Sequence, residues 1–435
     1  MTKTHMEAIT KSFKKFIPAI FLMGLLSVTT SISAQEEELT DVQKLAQRTE
    51  NLEAAVAKLN NLKVSGYIQG QWQWIEVTGA KNSFGASDFT ADSKNRFGVR
   101  RGRVKFSYSN TYGQAVIQLD ATEKGVGIKD AYLVLMDPNL NFVSLTGGVF
   151  NRPFGNEIAY SSSLRESPER ARITQSLFPG ERDLGAKITF QGAKGTYWNS
   201  FVLEGGFFAG NGVAVETDSK KDFIGRAAYM NTTSDFFNYA FGASYYNGGV
   251  VQPTSKVYTM KDGQFSLSDE SANKGKIAKR EYFGFDTQLL LNSMIGTTNL
   301  RAEYIWGQQP GTLNDNTSPK AARVDDTYIR NFSGYYVYLV QDIGFSPFSV
   351  VAKYDFYDPN TEVKGDEVDI TKGLSAKDAD LSYTTFGFGA LYRANANIRI
   401  MAYYDIVKNE TSSNTASYKS DLKDNLFTLR LQYKF

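Results

Sequence analysis

From Val64 to Phe435 the chain repeats one pattern, apolar side chains at every second position. The runs begin near Val64, Phe97, Gly113, Gly127, Phe142, Leu184, Asn199, Asp222, Phe237, Arg280, Gly296, Tyr328, Pro347, Tyr383, Asn397 and Asn425. A period of two puts successive side chains on opposite faces of an extended strand. Each run is long enough for the roughly 9 to 11 residues that a tilted membrane-crossing strand needs. In the final run Phe427, Leu429, Leu431, Tyr433 and Phe435 share one face, and Thr428, Arg430, Gln432 and Lys434 share the other. Leu300, Ala302, Tyr304 and Trp306 oppose Arg301 and Glu303 in the same way.

The connections sharpen this reading. Every second gap is a brief turn: NTYG after Ser109, DPNLN from Asp137, NTTSD from Asn231, NSMI from Asn292 and ANAN from Ala394. The gaps between them are mostly long and polar, around 77–96, 152–183, 210–221, 248–279, 308–327, 358–381 and 409–423; the short gap at 122–126 breaks the rule. Turns on one side and loops on the other are the asymmetry of an outer-membrane barrel with both termini in the periplasm. A soluble sandwich also alternates, but it buries its apolar face and leaves open sheet edges. The pattern therefore predicts an all-β fold, a sixteen-stranded antiparallel transmembrane β-barrel over 63–435.

The segments ahead of the barrel fit export. Residues 1–34 have a basic start (Lys11, Lys14, Lys15), an apolar run from Phe16 to Leu26 and the small-residue exit Ser33-Ala34, which reads as a signal peptide cut near Ala34-Gln35. A retained anchor is the other reading, but the apolar run falls short of the roughly 20 residues a spanning helix needs. Residues 35–62 read as a short periplasmic coiled-coil helix, with Val42, Leu45, Leu52, Val56 and Leu59 in one a/d register and Thr49 at the remaining position. An amphipathic helix folded onto its own domain is the alternative.

Composition closes off other chemistries. Without the leader, the 48 basic and 46 acidic residues become 44 and 45, because the leader holds four Lys and Glu7. A near-neutral chain gives no reason to expect a nucleic-acid partner. The only His is His5 and there is no Cys, so the exported chain has no His base, Cys nucleophile, disulfide or common zinc ligand set. No enzyme activity and no cofactor are expected, although oxygen-ligand calcium sites stay open. Aromatics reach 14%, as barrels with interfacial girdles require.

Arginine is the suggestive residue type. With Val104, Phe106 and Tyr108 facing lipid, Arg101, Arg103 and Lys105 face the lumen two residues apart, and Arg100 falls on the outer face, from which it must snorkel to the rim. The row is either an anion-guiding ladder or a scaffold ion-paired with acids on neighbouring strands such as Asp120. The loop from Arg152 to Asp183 leaves the fifth strand with Arg165, Arg170, Arg172 and Arg182 beside Glu166, Glu169 and Glu181. As the third external loop it is expected to fold inward and set ion selectivity; a solvated surface loop is the plain alternative.

The run RRGRVKFSYSNTYGQAVIQLDATEKGVGIKDAYLVL, with LTGGVFNRPFG, SSSLRESPER and FPGERDLGAKI after it, resembles the phosphate-selective porin O and P family. The resemblance covers the first half of the barrel; beyond it only the strand pattern and the terminal Phe435 agree. It implies a homotrimeric porin of the Gram-negative outer membrane that passes phosphate and other small anions along rows of Arg and Lys. Arg101 and Arg103 match the family's Arg-rich second strand. Outer-membrane lipid and the barrel-assembly machinery, which reads the terminal aromatic strand, are the further partners expected. A general or carbohydrate-permissive pore, stacking sugars on Tyr335 to Tyr338 and Tyr403-Tyr404, and a structural or adhesive surface barrel are the competing functions.

Overall fold

The computed structural model describes residues 48–50, 61–80, 89–139, 142–318, 323–368 and 378–435. The chain divides into two units, 1–58 and 59–435. Of the first, only the helical residues 48–50 are described, so the signal segment and the heptad positions Val42, Leu45, Leu52, Val56 and Leu59 lie outside the described residues.

The second unit is a barrel. Its first half comprises β1 (Leu62–Ile75), β2 (Asn95–Asn110), β3 (Gly113–Thr122), β4 (Gly125–Met136), β5 (Val143–Asn151), β6 (Arg182–Gln191), β7 (Phe201–Phe208), β8 (Asp222–Asn231) and β9 (Phe237–Val251). A small hairpin follows, β10 (Lys256–Lys261) and β11 (Gln264–Asp269). The wall resumes with β12 (Ile277–Ser293), β13 (Gly296–Gly311), β14 (Thr327–Asp342), β15 (Phe348–Asp358), β16 (Tyr383–Arg393), β17 (Ile398–Asn409) and β18 (Leu426–Lys434). Consecutive wall strands pair antiparallel, β9 pairs directly with β12, and β18 returns to β1 with Tyr67 opposite Lys434 and Ile75 opposite Leu426. Sixteen strands thus close on themselves and no wall edge is left unpaired.

Alternation sorts the two faces as expected. In β18, Leu431 and Tyr433 are 55% and 51% exposed while Arg430 and Gln432 are 2% and 4% exposed. The apolar residues point outward and the polar ones inward, the inverse of a soluble protein and the arrangement a lipid surround demands. Turns gather at one end and long loops at the other, apart from the two-residue link Glu123-Lys124 between β3 and β4. Among the described residues no helix is long and apolar enough to cross a membrane.

Arg100 departs from the expected placement on the outer face. Gln69 of β1 pairs with Arg101 but Gly70 pairs with Val99, so Arg100 is the extra residue of a β-bulge. The bulge switches the phase of the strand: Phe97 and Val99 point outward before it, Phe106 and Tyr108 after it, and both arginines turn inward. A second bulge in β4, where Gln118 pairs with Asp130 and Leu119 with Ile128, does the same for Lys129. In each case one extra residue removes a charge from the apolar wall.

The hairpin β10–β11 lies within the 248–279 connection, where the period-two pattern predicts a polar loop. It turns at Asp262-Gly263, both with positive φ, and lays Val257–Thr259 parallel to Thr327–Ile329 of β14. Tyr258 stacks on Tyr328 at 4.2 Å, and with Phe265, Val363, Val368 and Leu381 they form a small core at the long-loop end. Its signal was in the chain: Asp-Gly between short alternating runs marks a hairpin.

Candidate functional site

The connection 152–181 folds into the barrel and spans the lumen, so the inward third loop is found where the spacing put it. Bends, turns and one short helix, Arg172–Leu177, make up the loop. Its backbone carbonyls need partners inside a polar lumen, and wall side chains supply them. Gln69 donates to Ser162 O at 3.0 Å, Gln432 to Ser163 O at 3.1 Å, Arg399 to Leu164 O at 2.9 Å and Arg430 to Pro168 O at 2.9 Å. Ser162 also meets Tyr67 OH at 2.6 Å, and Arg301 pairs with Glu166. Gly155 lets the loop touch β13: at φ +59 it occupies the left-handed region, and a Cβ there would lie 1.7 Å from Glu303 Oε1.

Aromatic packing holds the rest of the loop against the wall. Phe154, Ile173, Leu177 and Phe178 of the loop pack with Tyr246, Tyr282, Phe332 and Tyr357 of the wall, with Phe154 and Phe178 4.9 Å apart. Tyr336, Tyr338 and Tyr403 belong to this core and are 1–2% exposed, while Tyr335 faces outward. The tyrosines considered for sugar stacking therefore offer no open platform to a sugar passing through the lumen.

Two carboxylates hold the loop down. Glu169, 6% exposed, receives Arg100 at 2.6 and 2.7 Å through both oxygens, with Arg430 at 3.3 Å, Arg101 at 3.4 Å and Arg165 at 3.8 Å. Burial would raise the Glu169 carboxyl, but the guanidiniums of Arg100 and then Arg101 outweigh it and hold the group well below the usual carboxylate range. Glu181, where the loop re-enters β6, has φ +63, a costly conformation for a non-glycine residue. Arg170, Lys129 at 2.6 Å and Arg182 at 3.1 Å converge on it. Its carboxyl is raised by burial, yet Arg170 and Lys129 bring it far below the ordinary range.

Between the loop and the β1–β8 wall lies a chamber of about 530 Å³. Ser65, Lys105 and Lys434 at the short-turn ends of their strands line it, so it lies on that side of the loop. Eight cationic side chains and two carboxylates border it: Arg103, Lys105, Arg170 and Arg182 with Arg152, Lys187, Arg226 and Lys434, against Asp130 and Glu204. Most of the cations are paired. Arg103 meets Asp120 at 2.8 Å, Arg152 meets Asp183 at 2.9 Å, Arg182 meets Asp130 at 2.9 Å, Arg226 meets Asp286 at 2.8 Å, and Lys187 meets Glu204. Asp183 and Asp286 are buried behind the lining, while Asp120 is more exposed than the Arg103 it pairs with. Among the described residues Lys105 and Lys434 have no ion-pair partner.

The seven arginines and lysines singled out in the sequence thus divide. Arg103, Lys105, Arg170 and Arg182 meet in the chamber. Arg101 and Arg165 belong to the Glu169 cluster, Arg165 also donating to Pro168 O at 2.8 Å. Arg172 stands apart from both, its guanidinium 3.9 Å from the centre of the Tyr383 ring. Within the row, Arg103 is ion-paired with Asp120 and Lys105 has no ion-pair partner among the described residues. Lys187 and Arg226 were missed, although each alternates with outward apolar neighbours and was legible by the same parity as Arg101.

No protein-family model and no curated protein sequence matches the chain. Solved structures do match. An anion-selective porin from Comamonas acidovorans is 12% identical with a TM-score of 0.52, covering 86% of this chain and 99% of that one. The outer membrane channel DcaP of Acinetobacter baumannii is 13% identical with a TM-score of 0.51, covering 86% and 97%. OmpT, an outer membrane protein of Vibrio cholerae in its trimer form, is 10% identical with a TM-score of 0.50, covering 86% and 99%. At such identities the likeness is one of fold, and this chain has the closed antiparallel barrel of outer-membrane porins.

Proposed function

We propose that this protein is a non-enzymatic porin of a Gram-negative outer membrane, passing small anions, phosphate among them, by passive diffusion beside the inward loop. The observation that carries the reading is the chamber, which eight cations and two carboxylates line and where Lys105 and Lys434 are unopposed. In a narrow passage such charges act at a lower effective dielectric than in bulk water, which raises the local anion concentration. The porin of similar fold from Comamonas acidovorans is anion-selective, which agrees with this. The test is the reversal potential of the purified protein in planar bilayers under a potassium chloride gradient. Anion selectivity is expected; a cation-selective pore overturns the ionic preference, and no conductance favours a structural or adhesive surface barrel.

The same reading includes assembly as a homotrimer, and the outer wall supports it. The outward positions of β3, β4 and β5, such as Ile117, Ile128, Leu133, Leu135 and Leu145, carry no aromatic ring, whereas every other barrel strand carries at least one. A girdle marks lipid contact, so its interruption marks a wall that another copy covers. Leu133→Trp is expected to convert most of the oligomer to monomer on native gels, while Val337→Trp on the far wall is expected to leave it intact. Unchanged migration of the Leu133 variant removes this wall from the interface.

A further inference from the structure

The short-turn end carries one connection unlike the others. Residues 192–200 between β6 and β7 form a nine-residue link, where the other turns at that end have two to six. It folds back on itself: Gly192 N–H donates to Trp198 O at 3.3 Å, Gln191 Nε2 donates to Asn199 O at 3.3 Å, and the turn Tyr197–Ser200 packs against β6 and β8. Gly192 is needed there, since a Cβ would lie 2.4 Å from the Trp198 carbonyl carbon and 2.6 Å from its Cβ.

Beside this turn the outer wall holds a groove of about 580 Å³. Its floor is Leu203 and its cross-strand partner Ala227, and the small alanine is what makes it deep. Phe142 and Phe190 border one side, Trp198 and Phe201 the other. Trp198 is 68% exposed and stands 5.9 Å from Phe201, so the rings rim the groove without filling it. The polar groups at its edge are engaged within the turn, Gln191 with Asn199 O and Thr196 Oγ1 with Ala193 O at 2.7 Å. A dry apolar recess on a lipid-facing wall takes hydrocarbon. Above it, at the tip of the turn, Lys194 is exposed and has no partner among the described residues.

We infer that this groove is a binding site for one phospholipid with an acidic headgroup, its acyl chain lying over Leu203 and Ala227 and its phosphate meeting Lys194. The inference rests on the barrel standing in a membrane, and it adds a lipid that is held at a built site. The lipid belongs to the leaflet at the short-turn end, because every residue of the groove lies at that end of its strand.

The test uses Trp198 as its own reporter. In the full-length protein, Trp72, Trp74 and Trp306 are changed to Phe, leaving Trp198; a companion variant leaves only Trp306, which is 39% exposed on β13, four strands around the wall from β7. Each is reconstituted into phosphatidylcholine vesicles holding a minor fraction of chain-brominated phosphatidylglycerol or chain-brominated phosphatidylcholine. Brominated phosphatidylglycerol is expected to be preferred at Trp198 by about fivefold, the worth of one lysine at an anionic surface, with no preference at Trp306. Lys194→Gln is expected to abolish the preference, and Ala227→Leu to lower quenching of Trp198 by either lipid. Equal ratios at the two tryptophans overturn the site and leave an ordinary lipid annulus. Quenching at Trp306 alone overturns it in favour of a second protein copy over the groove. Absence of quenching at both removes the membrane-barrel reading itself, an outcome distinct from failure of the site.

Discussion

Glu169→Gln is expected to raise single-channel conductance and strengthen anion preference. The carboxylate is the shared counter-charge of Arg100, Arg101 and Arg430, two of which are 2–3% exposed. A neutral amide leaves them facing one another, and removing one member of a buried ion cluster costs about 3–5 kcal/mol. The loop, held largely by side chains, is the part that can yield locally while the barrel ladders persist. Conductance in planar bilayers and protease cleavage between Ser161 and Arg170 read out the release. An unchanged conductance would assign the anchoring to the hydrogen bonds that Gln69, Gln432 and Arg399 give to the carbonyls of Ser162, Ser163 and Leu164 instead.

The same latch predicts a pH response. Because the carboxyls of Glu169 and Glu181 lie far below their ordinary range in the folded state, they bind fewer protons there than in the detached loop. Their contribution is complete above the unfolded value of about 4.3 and is lost as pH falls through the lower, folded value. The conductance difference between the parent and Glu169→Gln is therefore expected to stay level from about pH 8 to pH 5. Opening belongs below the ordinary carboxylate range.

Lys105→Glu combined with Lys434→Glu is expected to move the reversal potential strongly toward cations at little cost in stability. These two lysines have no acidic partner among the described residues, so reversing them strands no buried countercharge. Arg103→Gln, by contrast, leaves Asp120 without its partner at 2.8 Å, and its effect mixes selectivity with stability. The shift should be largest at low ionic strength, where screening is weakest. Reversal potentials at two salt concentrations, with heat-modifiable migration as the control for folding, decide it. A double variant that keeps the parental preference would move the selectivity to the Glu169 cluster.

Much of the barrel was legible because alternation is a local property. Whether Leu431 faces lipid follows from its being two residues from Leu429, and the turn asymmetry follows from counting between runs. Arg100 shows where locality ends. The outward phase of Phe97 and Val99 disagrees with that of Val104 and Phe106, which requires a bulge between them, but pairing with Gln69 and Gly70 decides which residue is extra.

What the sequence by itself determined is the closed sixteen-stranded wall, its two faces, the length and position of the inward loop, and the residue types that could guide an anion. Only the tertiary structure decided which of those charges face the chamber. Arg103 and Lys105 share a strand and a face, yet Asp120 on the next strand pairs with one and leaves the other open. The loop arginines divide for the same reason: Arg165 turns back on its own carbonyls, Arg170 reaches the chamber and Arg172 settles on Tyr383. A side chain's direction along a strand is set by its neighbours in the chain, but whether its charge is free is set by what the closed barrel brings opposite it.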